Sequence, residues 1–370
     1  MKRLVLLGGG HAHLQVLARF AERRPRGWDA LLVTPHPRQI YSGMLPGWIA
    51  GHYTLDEISI DLLPLARAAE VGLLLDAATG LDADAGVLHT RHHGSIAFDA
   101  LSIDVGSGPP HTIPGAAEHG VGIRPIEGFA AAWERLRRQL HDTRGPLHVV
   151  VLGAGPGGVE LAFGLRHRAI REGWSHLRVR LVGSEATPLP GAPASARTCM
   201  ADKLREVGVE WEGSRRAAAI ESRRIVFEDT GEAAADVCWI VTGAAPVPWL
   251  AASGLDTDDA GYVRVNGKLQ SLSHANVFAA GDAASHPRPL PKSGVYAVRA
   301  GAALARSLLA FCEGMPLTEW RPQRQALYLV STGDRHAVAV WARWSWQGSW
   351  TWRWKDLIDR RFVEGFRQSV

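Results

Sequence analysis

The feature that most constrains the fold is a buried strand that runs directly into a glycine turn and a helix. Residues 149–152 are continuously apolar and mostly β-branched, which is typical of a strand covered on both faces. Gly153 permits the tight turn, Gly155 lets a pyrophosphate approach the backbone, and Gly158 lets the helix pack on the strand. Gly157 lies in the same turn. The helix directs free N–H groups and the positive end of its dipole at the phosphates, so the stretch predicts a dinucleotide-binding unit.

A second copy of this pattern opens the chain. Residues 4–7 form an apolar strand, a glycine turn follows, and the next helix carries apolar residues at helical spacing. The copy departs from the fingerprint at His13, where a glycine or alanine is usual. The residues that we place at this second phosphate site are Gly8, Gly10, His11 and Ala12.

The duplication extends to the ends of the two units. The segment 103–109, which contains Gly106, parallels the segment 240–246, which contains Gly243, and we place both glycines at cofactor sites. Two dinucleotide-binding units in one chain imply two dinucleotides. Electron transfer between them is the obvious reason for such a pairing.

A third motif lies beyond the second unit. The apolar residues 277–280 lead to Gly281 and Asp282, whose carboxylate can accept hydrogen bonds from a ribityl chain. This motif looks like the second flavin motif of the pyridine nucleotide–disulfide oxidoreductase superfamily, and the resemblance covers essentially the whole chain. A helix is expected from residue 293 to 311, with its N-terminus facing the flavin pyrimidine. The flavin-site residues that the resemblance adds there are Ser293, Gly294 and Val295.

Within the superfamily the chain is most similar to type II NADH dehydrogenases and sulfide:quinone oxidoreductases. Residues 8–13, 41–47 and 352–362 resemble a narrower group of NADH-dehydrogenase-like flavoproteins that are often linked to selenophosphate synthase. The resemblance implies an α/β fold with two Rossmann-like dinucleotide-binding domains, for FAD and NADH, plus a small C-terminal α+β domain. The expected boundaries are 1–115 and 249–325 for the two parts of the FAD-binding domain, 116–248 for the NAD(P)H-binding domain, and 326–370 for a Trp-rich C-terminal interface domain.

Composition narrows the function classes. The net charge of +4 is dispersed and no basic run appears, which argues against a nucleic-acid partner. The three cysteines form no CxxC pair, a pattern typical of a cytosolic protein without a disulfide framework or metal site. No run of about 18 apolar residues occurs, so we expect no transmembrane helix. Adjacent His92 and His93 on a short strand would face opposite sides and chelate poorly, so we expect no metal.

The second strand of each unit indicates how ribose is bound. Thr34 ends that strand in the first unit, where an acidic residue is usual, so Thr34 or a backbone group must substitute. Glu185 follows the corresponding strand of the second unit and offers an acceptor for ribose hydroxyls. No arginine cluster follows to receive a 2′-phosphate, which favours NADH over NADPH.

Two segments are expected beside the flavin ring. By resemblance the irregular loop 41–48, with Ser42, lies along the ring; the alternative is a surface loop with an apolar anchor. A positive helix end at the pyrimidine stabilises negative charge on a reduced ring, and Lys292, a candidate catalytic residue, could add a formal charge. The alternative for Lys292 is an exposed loop lysine.

Glu160 is a candidate catalytic residue of the second unit. It follows the glycine motif by two residues, and in type II NADH dehydrogenases a glutamate at the matching position lies near the nicotinamide and the acceptor. The alternative is a first-turn acid favoured by the helix dipole. Hydride transfer from NADH to FAD needs stacked rings and a dry slot, with little acid–base help.

The electron acceptor is the more open question. A disulfide reductase needs a CxxxxC pair, and none exists; Cys199, Cys238 and Cys312 all fall in apparent core segments. We therefore expect electrons to pass to a quinone or similar small acceptor. Two alternatives are a sulfide- or selenide-handling flavoenzyme linked to selenium metabolism and a flavin module that acts through a protein partner.

The last residues are unusually rich in tryptophan. Two strands are expected at 326–330 and 337–341, followed by a hairpin turning at 347–349 that would place its tryptophans on one face. After the hairpin, Trp354, Leu357, Ile358 and Phe362 follow at helical spacing with Arg and Asp on the opposite face, which predicts a helix. The end of the chain is basic and amphipathic, so it could contact the inner face of a membrane, a second copy, or a selenophosphate-synthase-related partner. The alternative is that these tryptophans pack in the hydrophobic core of the C-terminal domain.

Overall fold

The computed structural model describes residues 1–108 and 113–368. Pro109, the last residue of the motif 103–109, lies outside this range. The strands are β1 Lys2–Leu7, β2 Trp28–Thr34, β3 Arg38–Ile40, β4 Ser59–Asp61, β5 Gly72–Leu75, β6 Ala78–Asp82, β7 Val87–Thr90, β8 Ser95–Ala97, β9 Ala100–Ile103, β10 Gly120–Gly122, β11 Leu147–Leu152, β12 Leu177–Val182, β13 Glu210–Glu212, β14 Ala217–Glu221, β15 Arg224–Phe227, β16 Glu232–Ala234, β17 Val237–Ile240, β18 Val263–Arg264, β19 Val277–Ala279, β20 Ala284–Ser285, β21 Tyr328–Ser331, β22 Ala337–Trp341 and β23 Trp344–Gly348. The α-helices are α1 His11–Glu22, α2 Leu45–Ala50, α3 Leu62–Ala68, α4 Ala116–His119, α5 Ile126–Asp142, α6 Pro156–Glu172, α7 Ala194–Glu206, α8 Gly294–Cys312 and α9 Ser349–Arg367. Short 3-10 helices span Ser42–Met44, Asp56–Ile58, Pro248–Leu250 and Gly281–Ala283.

Two parallel sheets form the framework. The first has the strand order β19-β9-β1-β2-β5, and the second has the order β10-β17-β11-β12-β13. In each, the strand that leads into a glycine turn lies in the middle, with Leu4 beside Ala30 and Ala100, and with β11 between β12 and β17. Residues 4–7 and 149–152 are almost fully buried, as expected for strands covered on both faces. The mixed α/β architecture with Rossmann-type parallel sheets is confirmed.

Smaller antiparallel units are attached to the framework. Strands β6, β7 and β8 form one three-stranded sheet, and β14, β15 and β16 form another. The loop expected at 41–48 is instead a 3-10 turn followed by α2, with Pro46 in the first turn of that helix. Proline is well suited to this position because its fixed φ matches the helix and its missing N–H would be unpaired there anyway.

The C-terminal segment folds as a three-stranded antiparallel sheet, β21-β22-β23, followed by the long helix α9. The expected hairpin turn at 347–349 is wrong. Chain reversal occurs at Ala342 and Arg343, β23 ends at Gly348, and the later tryptophans lie on α9. The period-two spacing of those tryptophans was a coincidence, since Trp350, Trp354 and Leu357 also satisfy helical spacing.

Helix α8 lies in the interior against α1. In the described part of the chain it is the one helix that is long and apolar enough to cross a membrane, by length and composition only, and 56% of that apolar window is buried within the structure. Gly294, at the N-terminus of α8, borders the same cavity as the glycine turn that precedes α1.

Candidate active site

A cavity of about 300 Å³ lies where the first sheet presents the carboxyl ends of its strands. Ligands of open α/β sheets bind at this edge. The cavity is bordered by the β1–α1 turn, the segment after β9, the 3-10 turn at Gly281–Ala283 and the start of α8. Eight predicted site residues line it: Gly8, Gly10, His11, Thr34, Ser42, Gly106, Asp282 and Gly294.

Four other residues predicted for this site lie beside the cavity without lining it. Ala12 is buried in the first turn of α1, and Val295 is half-buried in α8. Gly281 and Ser293 border a separate cavity of about 30 Å³, which also meets Asp282.

The glycine turn fits closely around the carboxylate of Asp104. A Cβ on Gly10 would lie 2.5 Å from Asp104 Oδ2, and one on Gly281 would lie 2.7 Å from Oδ1. Gly8 has a φ of +95° and its added Cβ would collide with the Asp104 backbone. The turn therefore leaves no room for side chains, which keeps the backbone open to a ligand as a dinucleotide requires.

The departure from the fingerprint at His13 has a structural reason. The His13 side chain is fully buried, with Nδ1 2.6 Å from Gly8 O and Nε2 2.8 Å from Ser102 Oγ. A carbonyl only accepts, so Nδ1 carries the proton and Nε2 accepts from the serine hydroxyl. Burial lowers the pKa of His13 to about 4, so the ring is neutral and braces the turn against β9.

The carboxylate of Asp282 is held on the cavity wall by two donors. Ser107 Oγ donates to Asp282 Oδ2 at 3.0 Å, and Arg124 Nη2 lies 3.2 Å from the same oxygen. With only 9% of Asp282 exposed, this oxygen is fixed by the protein while the side chain still faces the cavity. A fixed acceptor at this place suits the hydroxyl groups of a cofactor.

Lys292 contacts the backbone of Asp282 and does not line the 300 Å³ cavity. Its Nζ donates to Asp282 O at 2.9 Å and to Ala284 O at 2.6 Å, and it stands 3.6 Å from the centre of the Tyr262 ring. Burial lowers the pKa of Lys292, whereas Asp282 and Asp258 oppose the shift. The side chain is thus half-buried rather than an exposed loop lysine, and it supports the loop that carries Asp282.

The second glycine turn has the same construction. Gly153 has a φ of +113°, and a Cβ there would lie 2.9 Å from Thr242 N; a Cβ on Gly158 would collide with Gly153 O. Gly155 is the N-cap of α6 and Gly157 lies in its first turn. Gly243 and Glu185 are exposed nearby, after β17 and β12. The Thr242 hydroxyl is buried beside this turn and has no partner in the described residues.

Glu160 joins the second unit to the C-terminal segment. It is the fifth residue of α6, past the first turn, and its Oε1 accepts from Ser331 N of β21 at 2.9 Å. Burial raises the pKa of Glu160 to about 7, although the charge of Lys355 and the Ser331 hydrogen bond oppose the shift. The alternative role, an acidic residue favoured by the helix dipole, does not explain why Glu160 is buried and bonded to β21.

Helix α9 supplies charged partners for Glu160. Lys355 Nζ donates to Asp359 Oδ2 and to Gly43 O, both at 2.7 Å, and Tyr41 Oη donates to Asp359 Oδ1 at 3.2 Å. The Lys355 and Asp359 side chains are only 12% and 7% exposed. Burial lowers the pKa of Lys355, but Asp359 and Glu160 outweigh this and raise it. We call Glu160, Lys355, Asp359 and Tyr41 the buried ion cluster.

Aromatic rings connect this cluster to the cavity. Phe362 of α9 packs on Tyr41 with ring centres 4.5 Å apart, and both rings contact His11, at 6.2 and 5.6 Å. His11 also lines the cavity, so these ring contacts connect α9 to the cavity through His11.

The three cysteines do not contribute to the cavity. Cys238 is buried in β17, and Cys199 and Cys312 are partly buried and pack against the hydrophobic core, as expected from the sequence. The Cys199 thiol on α7 donates to Gln347 Oε1 at 3.3 Å. None of the three lines the 300 Å³ cavity. In the described residues no group of three His, Cys, Asp or Glu side chains could hold a metal.

Sequence analysis missed Asp104, Arg124, Lys355 and Asp359. Asp104 lies in the segment 103–109, in which only Gly106 was predicted to be a site residue. The four-residue spacing of Lys355 and Asp359 was a usable helical signal, because such pairs face each other on a helix. Arg124 meets Asp282 only through tertiary folding and has no local signal.

The chain is similar in sequence or in fold to several known proteins. The Demethylphylloquinone reductase NdbB of Synechocystis is 25% identical over 295 residues, covering 76% of this chain and 72% of that protein. The sulfide-quinone reductase of Aquifex aeolicus is 21% identical over 360 residues, covering 90% and 82%. Its sulfide:quinone oxidoreductase crystal structure superposes with a TM-score of 0.83 at 19% identity, covering 100% of this chain and 92% of that one. NDH2 from Plasmodium falciparum, solved in complex with NADH, gives a TM-score of 0.81 at 12% identity, covering 98% of each chain.

A family model described as pyridine nucleotide-disulphide oxidoreductase matches residues 2–301. That span holds both parallel sheets, both glycine turns and the cavity. The chain therefore belongs to the pyridine nucleotide-disulphide oxidoreductase family.

Proposed function

We propose that the protein is an FAD-dependent NADH:acceptor oxidoreductase that passes electrons from NADH to a quinone or a similar acceptor. The observation that carries the proposal is the buried ion cluster, in which a protonatable carboxyl, Glu160, interacts electrostatically with Tyr41. The Tyr41 ring in turn contacts His11, which lines the cavity. Reduction of a quinone consumes two electrons and two protons, of which a hydride donor supplies two electrons and one proton. A proton donor is therefore needed for the second proton, and the reaction requires no thiol.

The residues that would hold FAD are those of the 300 Å³ cavity. The β1–α1 turn would receive the pyrophosphate, and the fixed Asp282 carboxylate would accept from the ribityl chain. The fit is supported by the glycines that pack on Asp104 and by the buried His11 Nε2, which has no partner in the described residues. Bound FAD would supply a ring that accepts a hydride and returns electrons to a second substrate.

The second glycine turn would hold NADH. Gly153 and Gly155 leave the start of α6 open to a pyrophosphate, and Glu185 after β12 would accept from ribose hydroxyls. Glu160 lies further along the same helix, so α6 would bind the electron donor at its start and present the acid one turn later. The preference for NADH over NADPH rests on Glu185, whose charge would repel a 2′-phosphate.

Glu160 would deliver a proton to the reduced acceptor. With its pKa raised to about 7, Glu160 is half-protonated near neutral pH, and Lys355 stabilises the carboxylate that remains after transfer. The acceptor-reduction rate should therefore fall as pH rises through about 7. The names of two relatives, a demethylphylloquinone reductase and a sulfide-quinone reductase, support a quinone-type acceptor.

A sulfide- or selenide-handling enzyme is not favoured. The thiols of Cys199, Cys238 and Cys312 lie away from the cavity, and burial raises the pKa of Cys238 and of Cys312 to about 12. A thiol with so high a pKa is a poor nucleophile, because only the thiolate reacts.

A steady-state assay with NADH and a short-chain quinone tests the function. The flavin-loaded protein should reduce the quinone, and Glu160→Gln should keep the flavin but lose most of the acceptor step and its pH dependence. Glu172→Gln, at the other end of α6, is the matched control and should retain both. Wild-type rates in Glu160→Gln would mean that Glu160 is structural.

We also propose that α9 rests on an anionic membrane surface, where a lipid quinone would be available. Trp350, Trp354, Leu357 and Ile358 are all exposed and recur at helical spacing, and exposed Arg353 adjoins them. Wild-type protein should co-sediment with anionic vesicles, more weakly at high salt. A double variant, Trp354→Ala with Leu357→Ala, should lose this binding.

Leu63→Ala, which removes an exposed leucine of α3, is the control and should bind the vesicles as wild type does. No vesicle binding by wild type at low salt would contradict membrane contact. A concentration-dependent dimer that the double variant abolishes would instead assign this face to a second copy of the chain.

A further inference from the structure

The positive end of α1 already holds a negative group. Asp104 Oδ2 accepts from Ala12 N at 2.8 Å and from His13 N at 2.9 Å. The Asp104 side chain is 3% exposed and lies between Gly10 and Gly281. Helix N-termini usually offer such N–H groups to the phosphates of a dinucleotide. Here a carboxylate uses two of them, at the edge of the cavity where a pyrophosphate would bind.

A second titratable group stands beside this carboxylate. His11 lines the same cavity, and its Nε2 is buried without a hydrogen-bond partner in the described residues. The charges that act on His11 are Asp104 and Asp282, which favour its cation, and Arg124, which disfavours it. The rings of Tyr41 and Phe362 cover another side. An orphan imidazole nitrogen at a phosphate site is an unused donor once it is protonated.

Resting on the proposed function, we infer that the pyrophosphate of FAD binds to this protein together with one proton, which the His11–Asp104 pair takes up. Without that proton the pair presents a neutral imidazole and a carboxylate to a ligand group with two negative charges. With it, the pair is neutral overall and offers one more donor. The proton comes from solvent and no covalent bond to the cofactor is made or broken.

The pKa of Asp104 permits uptake of a proton near neutral pH. Burial raises the pKa of Asp104 to about 6, and burial lowers the pKa of His11. Asp104 thus lies within reach of a one-proton change when two negative charges arrive, and the same charges favour the His11 cation against the effect of burial. The neighbouring His13 stays neutral near neutral pH, because burial lowers its pKa to about 4. His36, which also lines the cavity, has its Nε2 3.6 Å from Glu127 Oε2.

Calorimetric titration of FAD into the flavin-free protein, repeated in buffers with different ionisation enthalpies, counts the protons taken up. Free oxidised FAD does not titrate near neutral pH, so the count reports on the protein. We expect uptake of about half to one proton per FAD near neutral pH, and a Kd that weakens by up to about tenfold per pH unit above the pKa of the pair.

Two isosteric variants and one control identify the groups. His11→Gln and Asp104→Asn should each lower the proton count, and the double variant should bind FAD with no linked proton. His36→Gln should keep the wild-type count, although His36 lines the same cavity.

A binding enthalpy independent of the buffer, with a Kd independent of pH, would overturn the inference while leaving the proposed function intact, and this wild-type result does not depend on the variants folding. Loss of uptake in His36→Gln alone would also overturn it. A protein that fails to bind FAD at all would overturn both the inference and the proposed function.

Discussion

Replacing Lys355 by methionine should destabilise the protein strongly, because it would leave buried negative charge without a partner. The Lys355 and Asp359 side chains are 12% and 7% exposed and lie 2.7 Å apart, and Glu160 interacts with the same ammonium group. Removing one partner of a buried pair costs about 3–5 kcal/mol. Because burial leaves little solvent to screen the pair, we expect Lys355→Met to lower the free energy of unfolding by about 3 kcal/mol.

Urea denaturation at neutral pH measures this change. The pKa of Lys355 is raised in the folded state, so its stabilisation is fully present below the ordinary lysine pKa and is lost only as pH rises through the raised value. Arg353→Met, an exposed position on the same helix, should change stability by no more than about 0.5 kcal/mol. Equal, small effects from both variants would refute the claim that α9 is held by buried charge.

The same replacement should alter the pH dependence of turnover. Lys355 holds the pKa of Glu160 down against the effect of burial, so its removal should move the pH midpoint for acceptor reduction above about 7. Asp359→Asn removes a negative charge near Glu160 and should move the midpoint the other way. Midpoints that stay in place in both variants would show that Glu160 does not control this step.

Three further predictions concern the cofactor sites and the thiols. Asp282→Ala should lower flavin occupancy, since a charged hydrogen bond contributes about 1.5–3 kcal/mol; a fully loaded variant would exclude Asp282 from the flavin site. Gly155→Val should slow flavin reduction by NADH in stopped flow while leaving flavin content unchanged, and an unchanged rate would move NADH away from the α6 turn. Replacing Cys199, Cys238 and Cys312 together by small residues should leave turnover within a few-fold, whereas a selective loss would reveal a redox thiol.

The parallel sheets were predictable from sequence because their signals are local. A β-branched apolar run followed by a glycine turn fixes strand, turn and helix within a few residues, and both copies at Gly8 and Gly153 have positive φ, as such turns require. The motif around Asp282 could also be recognised from the sequence, and Asp282 lines the cavity.

The coupling of the C-terminal segment to the cavity was not predictable in the same way. The contacts of Tyr41 with Asp359 and of Lys355 with Gly43 join residues that are far apart in the chain. They depend on how α9 packs against residues 41–43. The tryptophan spacing was misleading, because Trp350 and Trp354 satisfy both a strand pattern and a helix pattern. The helical spacing of Trp354, Leu357, Ile358 and Phe362 predicted the later part of this helix correctly, but α9 begins earlier, at Ser349.

Anaerobic addition of NADH to the purified, flavin-loaded protein tests the central claim most directly. The account predicts that one equivalent of NADH bleaches the flavin absorbance in a single turnover and that one equivalent of a quinone then restores it. A flavin that stays oxidised in excess NADH would contradict the account, as would a reduced flavin that quinones fail to reoxidise.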